Sequence, residues 1–220
     1  TKKALEDIPQ AETGLQHGTV TALTRGGPVE ITTFRREGTY SDHRRPDKVE
    51  FTACLEEDLL RRDFTINAMA WHPQKGLRDC FGGREDLRAG LLRCVGEPSR
   101  RFQEDALRIL RCLRFGSVLG FAIEENTEKA LLALARLLEG ISGERVQAEM
   151  DKLLAGAWAE KILHEYAEVF RVLFPEISCG DVKLPSEGGA AGWAALLHGL
   201  PAAQAEGLLR RLRFPNRTQK

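Results

Sequence analysis

Near Glu97 the hydrophobic pattern of this chain changes period, and that change limits its fold more than any other feature. Before it, apolar residues alternate over short runs broken by turn residues; after it, they recur every three to four residues over long runs. The expected fold class is therefore α+β in the first part and all-helical in the second. In the first part, Gly14 and Gly18 flank GLQHG, and TVTAL alternates as a strand. After a turn over residues 25–28, VEITTF puts Val29, Ile31 and Thr33 on one face and Glu30, Thr32 and Phe34 on the other. The segment 36–48, REGTYSDHRRPDK, has Gly38, Pro46 and little apolar material, which predicts a mobile loop. LEEDLLRRDFTINAMAW predicts a short amphipathic segment around Leu55, Leu59 and Leu60, then another helix beginning near Asp63. LRDCFGGREDLRAGLLR predicts a hairpin centred on Gly82 and Gly83 and a short strand after it.

In the second part the spacing predicts helices over 102–119, 125–139, 143–155 and 158–173. Leu131, Leu134 and Leu138 form one apolar stripe, and Ile162, Tyr166, Val169 and Phe170 another. Residues 180–192 read as a loop, after which AALLHGL and AEGLLRRLRF start a further helical hairpin. Trp71, Trp158 and Trp193 read as core or domain-contact residues rather than stacking platforms.

Charge narrows the functional classes. Lys plus Arg number 32 and Asp plus Glu number 32, so the formal net charge is zero and a nucleic-acid site has to come from local arrangement. A histone-like coating protein is disfavoured. The five cysteines include no CxxC pair, which argues against a zinc module or a disulfide scaffold and for reduced thiols in a cytoplasmic protein. No apolar run approaches the roughly 18 residues of a membrane span, and TKKALEDIPQ is not a signal peptide. The chain does not open on methionine, which suggests a fragment.

Two clusters can carry chemistry. In RRFQEDALRILRCLRF, a continuous helix would place Glu104, Arg108 and Arg111 on one broad face with Arg101, and Asp105 three residues before Arg108. A carboxylate accepts and a guanidinium donates, so Asp105 and Arg108 together match the edge of a nucleobase, leaving the other arginines for phosphates. The bland counterpart is a solvated helix held by Glu104–Arg108 and similar pairs, each worth about 0.2–0.5 kcal/mol. In the second cluster, Asp63 can begin the following helix with Arg61 and Arg62 near its electropositive end, and Asn67, one turn on, can join Asp63 on a ribose hydroxyl; a surface cap is the equal alternative. Glu30 is the best isolated metal-ligand candidate, but one carboxylate does not make a two-metal site, and no Asp-x-Asp accompanies it. The loop residues Asp42, Arg44 and Arg45 suit either closure on phosphate or RNA, or simple solvation.

VEITTFR at 29–35, DHRRP at 42–46, LEEDLLRRDFTINAMA at 55–70, FGGREDL at 81–87 and RFQEDALRILRCLRF at 101–115, taken in order, resemble the class II CCA-adding tRNA nucleotidyltransferases within the bacterial poly(A) polymerase/tRNA nucleotidyltransferase family. ISGERVQAEMDKLL at 141–154 is similar to that family's helical neck motif. The resemblance implies a partial nucleotidyltransferase head over 1–96 with a mainly antiparallel or mixed sheet, a helical neck and nucleotide-reading region over 97–156, and the start of a helical body over 157–220. It further implies addition of CMP, CMP and AMP to the tRNA 3′ end from CTP and ATP, with Mg2+ and release of pyrophosphate, in the cytoplasm and without a membrane partner.

Carried over residue by residue, Glu30 matches an acidic residue of the catalytic head and a Mg2+ ligand. Arg61, Arg62 and Asp63 match nucleotide and ribose contacts, beside which Asn67 stands as a nucleotide-binding candidate by its spacing. Asp105 and Arg108 match the protein template for the base, and Glu104 and Arg111 its organising and phosphate-side neighbours; Arg114 is a further nucleotide-binding candidate. Asp42, Arg44 and Arg45 match a flexible loop that moves between C and A addition.

The family's phosphate-binding glycines and catalytic Asp-x-Asp precede the counterpart of GLQHGTVTAL and are missing here, as is most of the tRNA-gripping tail. The expectation is a weak or inactive polypeptide from an active parent. The resemblance leaves the oligomeric state open. Near alternatives are a bacterial poly(A) polymerase, a partial CC- or A-adding enzyme and a noncatalytic RNA-binding remnant. EDALR and the short loop between Phe34 and Val49 favour CCA addition over poly(A) synthesis.

Overall fold

A computed structural model of the chain describes residues 5, 7–14, 18–37, 49–185 and 189–215. It divides into two compact units whose boundary in the sequence lies between Arg61 and Arg62.

The first unit is rich in strands. β1 (Gln10–Gly14) pairs antiparallel with β2 (Thr19–Thr24), and β2 pairs antiparallel with β3 (Gly27–Thr32), setting Val20 opposite Ile31 and Thr21 opposite Glu30. The alternation of TVTAL is realised, with Val20 and Ala22 buried between less buried threonines. β3 departs from expectation: Val29 and Glu30 are both exposed, because this unit has only Val20, Ala22 and Leu59 as fully buried apolar side chains among the described residues. Arg36 and Glu37 are strand rather than loop. They belong to β4 (Arg35–Glu37), which pairs antiparallel with β5 (Val49–Phe51), and Arg36 faces Glu50 in an ion pair of 2.7 Å. The rest of the expected mobile loop, with Asp42, Arg44 and Arg45, lies outside the described residues. α1 (Leu55–Leu60) is amphipathic as expected, burying Leu59 and exposing Leu60.

In the second unit the helix expected at Asp63 is a single 3-10 turn over Thr65–Asn67. Phe64 before it is extended and bridges to Cys94, which fixes the chain in a sheet-like path that a helix cannot share. β6 (Met69–His72) and β7 (Gly76–Asp79) then form a hairpin. The turn is therefore at residues 73–75, and the expected centre at Gly82 and Gly83 instead opens α2 (Gly83–Ala89). Gly82 has a φ of 74°, and a Cβ on Gly83 would collide with the Thr65 carbonyl, so glycine permits both the turn and the close approach.

The expected short strand is β8 (Leu91–Leu92), parallel to β9 (Ala122–Ile123). Around it lie α3 (Pro98–Glu104), α4 (Leu107–Leu119), α5 (Glu125–Leu134), α6 (Gly143–Leu154), α7 (Ala159–Glu165), α8 (Ala167–Leu173), α9 (Gly189–Leu197) and α10 (Ala202–Arg211). Three expected helices are thus interrupted. The 102–119 segment breaks at Asp105, the 125–139 segment ends in 3-10 geometry over Ala135–Gly140, and the 158–173 segment breaks at Tyr166. α9 also begins inside the expected loop; Gly192 in its first turns is buried and lies close against Leu154.

The core of the second unit runs through α4 to α8 and the 3-10 segment Ala135–Gly140, with Leu131, Leu138, Ile162, Tyr166, Val169 and Phe170 buried and Leu134 partly buried against it. Trp193 is buried between Phe174 and Phe214 in edge-to-face contacts of 6.1 and 5.1 Å. Trp71 and Trp158 are exposed, contrary to the core assignment: Trp71 stands on a two-stranded ribbon and Trp158 begins α7 at its surface end. All five cysteines are free thiols. No helix among the described residues is long and apolar enough to cross a membrane.

Candidate nucleotide site

Asp63 and Arg111 are 48 residues apart, and the fold joins them. Asp63 Oδ2 accepts from both Arg111 Nε at 2.9 Å and Nη2 at 2.6 Å, so one oxygen takes two charge-assisted hydrogen bonds. Asp63 Oδ1 accepts from the Phe64 backbone N–H at 2.9 Å and from Asn67 Nδ2 at 3.2 Å. Burial alone would push this carboxyl up. The Arg111 charge and hydrogen bonds, with those of Asn67 and Phe64, outweigh burial and hold it below the ordinary carboxylate range. Asp63 and Asn67 are therefore together, as expected, but the 3-10 turn joins them rather than a helix.

α4 carries arginines at every third position, Arg108, Arg111 and Arg114, and each meets an acid. Arg111 Nη1 donates to Glu149 Oε1 at 3.2 Å, and Arg114 Nε lies 2.7 Å from Glu149 Oε2 as an ion pair without hydrogen-bond alignment. The Arg114 guanidinium also stacks 3.7 Å from the centre of the Phe115 ring. Phe115 in turn meets Phe64 edge-to-face, which anchors the segment after Asp63 to α4. Arg62 Nη1 donates to the Asn67 carbonyl at 3.1 Å.

Asp105 and Arg108 do not share a helical edge, which corrects the expected i,i+3 geometry. Asp105 is extended, with φ −148° and ψ 103°, so α3 ends there and α4 starts afresh. The cause is local: the Asp105 carboxylate accepts the Leu107 N–H at 3.1 Å and so opens α4 from outside it. Its other oxygen accepts from Arg145 Nη2 at 2.7 Å. Arg108 turns to Glu104 at 2.9 Å and to the Arg101 carbonyl at 3.1 Å. Glu104 also pairs with Arg100 and Arg101, both at 3.1 Å.

Sequence reasoning missed Arg145 and Glu149, both inside ISGERVQAEMDKLL. The available signal was Glu149 itself, an acid on the apolar stripe made by Val146, Met150 and Leu153, all buried with it. Arg145 Nη1 is buried and has no hydrogen-bond partner among the described residues.

In the first unit, Arg61 donates to Asp58 at 2.6 Å and to the Arg35 carbonyl at 3.1 Å. Glu30 is exposed on β3. Among the described residues no group of three or more His, Cys, Asp or Glu is set to hold a metal ion. A Mg2+ ion wants near-octahedral oxygen ligation, so Glu30 alone does not fit it.

A family profile described as "Poly A polymerase head domain" matches residues 2–93, and one described as "Probable RNA and SrmB- binding site of polymerase A" matches residues 120–179. The CCA-adding enzyme of Geobacillus stearothermophilus is 41% identical over 216 residues, covering 94% of this chain and 54% of that protein. The chain belongs to the poly(A) polymerase and CCA-adding enzyme family. The CCA-adding enzyme of Leuconostoc mesenteroides is 54% identical over 152 residues, 69% of this chain and 38% of that protein. The crystal structure of the Bacillus stearothermophilus CCA-adding enzyme in complex with CTP is similar at a TM-score of 0.77 and 35% identity, over 99% of this chain and 56% of that one. The chain therefore spans about half the length of the Geobacillus enzyme and of the CTP-bound structure, with the mixed α+β head and helical neck expected of the family.

Proposed function

We propose that the chain is the head, neck and first body segment of a tRNA nucleotidyltransferase that adds CMP, CMP and AMP to the tRNA 3′ end in the cytoplasm. The observation that supports this most is the likeness across 99% of the chain to a CCA-adding enzyme in complex with CTP. A Thermotoga maritima CCA-adding enzyme complexed with tRNA is also similar, at a TM-score of 0.70 and 25% identity. We assign residues 1–96 to the head, 97–156 to the neck and nucleotide-reading region, and 157–220 to the start of the body.

In this reading the tRNA 3′ hydroxyl attacks the α-phosphorus of CTP or ATP and pyrophosphate leaves. Arg61, Arg62, Asp63 and Asn67 hold the ribose and phosphates, with Asp63 oriented by Arg111. Asp105 and Arg108 read the base, which requires the Asp105–Arg145 and Arg108–Glu104 pairs to yield to it. A base that satisfies these groups is favoured over one that leaves them unmatched. Arg114 and Glu104 organise that edge, and Asp42, Arg44 and Arg45 serve the change from C to A. Mg2+ belongs to the reaction by family resemblance, and Glu30 alone, exposed on β3, does not fit it.

Poly(A) synthesis is the second reading, favoured by the description of the head profile. Both are tested by binding of the four nucleoside triphosphates to the chain and its Asp105→Ala and Arg108→Ala variants. Relaxed base preference with retained folding is expected, by about 5- to 150-fold for loss of a contact worth about 1–3 kcal/mol. Unchanged preference in both variants overturns the base-reading assignment, and wild-type preference for ATP alone favours poly(A) synthesis.

A further inference from the structure

A cavity of about 380 Å3 lies within the second unit, bounded by the C-terminal end of α4, β9, α5 and α7. At about 100° per residue, Gly116 and Gly120 in its lining face away from Arg111 and Arg114 on α4, so the cavity is separate from the candidate nucleotide site. Gly120 ends α4 at φ 69°, and a Cβ there would run into the Trp158 indole. Glycine thus lets the indole lie against the backbone while half its surface stays exposed.

The remaining lining combines apolar faces with acceptors. Phe121 and Ile162 join Trp158 as walls, and Glu128 and Glu165 supply two carboxylates. Buried Tyr166 donates its hydroxyl to Glu128 Oε1 at 2.5 Å and so orients that carboxylate. Burial first, then the hydrogen bond and charge of Glu128, push the Tyr166 hydroxyl well above its ordinary range, which keeps it a donor. Lys161 lies 3.7 Å from Glu165, a loose and exposed ion pair that leaves the Glu165 carboxylate open to a second cation. α4 has no basic residue in its last turn, so its carbonyl end adds negative potential.

We propose that this cavity binds a small aliphatic polyamine. Two carboxylates with one lysine leave a negative lining that repels phosphate. The aromatic and aliphatic walls offer a hydrated divalent ion little, but they cover methylenes and attract ammonium groups through the ring faces. No known partner of the nucleotide site is needed for this assignment, and none of Asp63, Asp105, Arg108 or Arg111 lines the cavity.

The test is isothermal titration of the 220-residue chain with spermidine, with Mg2+ and a lysine-containing peptide as competing arms. One saturable spermidine site is expected, unaffected by equimolar Mg2+. Glu165→Gln, Glu128→Gln and Trp158→Ala should each weaken it by about 5-fold or more, the scale of one exposed charge or cation–π contact. Glu125→Gln, which removes a charge from α5 outside the cavity, should leave it unchanged. No saturable heat, equal weakening by Glu125→Gln, or displacement by Mg2+ would each overturn the proposal. Binding of the peptide but not of spermidine would overturn it too, giving the cavity to a protein partner. Thermal melting of each variant separates lost binding from lost folding.

Discussion

At the residue scale, the pair that joins Asp63 to Arg111 links acidity to stability. The Asp63 carboxyl is held below its ordinary value of 3.8, so its contribution is fully present above that value and is lost as pH falls through the lower folded value. Asp63→Asn should therefore cost about 1–3 kcal/mol at neutral pH, the range of a hydrogen-bonded charged group. The gap to the parent chain should shrink in urea unfolding below about pH 4. A gap independent of pH would mean that Asp63 acts through shape alone. Single residues were legible where chemistry and spacing coincide: Asp63 with Asn67 was expected, and the two are bonded. The partnership with Arg111 was not, since nothing local ties positions 48 apart. Arg145 and Glu149 were passed over for the same reason: each is defined by what it meets across the core, at Asp105, Arg111 and Arg114.

At the element scale, the amphipathic helices were legible because their stripes are long and regular, as in α5 and α6. Their interruptions were not. One carboxylate at Asp105 takes the Leu107 N–H and ends a helix that periodicity alone would continue. A pairing distant in sequence, Phe64 with Cys94, turned an expected helix after Asp63 into one 3-10 turn and a strand. Helix packing also gives a paired prediction from two glycines. Gly207 sits in α10 with open space where a Cβ would go, so Gly207→Ala should stabilise by roughly 0.5–1 kcal/mol. Gly143 opens α6 against the Arg211 carbonyl, a backbone atom that cannot swing aside, so Gly143→Ala should destabilise by about 1–3 kcal/mol. Chemical denaturation of the two variants decides it; equal shifts would contradict the close approach of α10 to α6.

At the scale of the whole molecule, the chain has no net charge and yet concentrates arginine on α4, with Asp63, Glu104 and Glu149 holding each guanidinium in place. Such an array costs desolvation energy, which the paired acids offset. The decisive measurement is the equilibrium affinity of the unmodified chain for CTP, ATP, GTP and UTP under one set of conditions. The account predicts that CTP and ATP bind at least about 10-fold more tightly than GTP and UTP, a difference of about 1.4 kcal/mol. Four indistinguishable affinities, or no binding of any of the four, would contradict it.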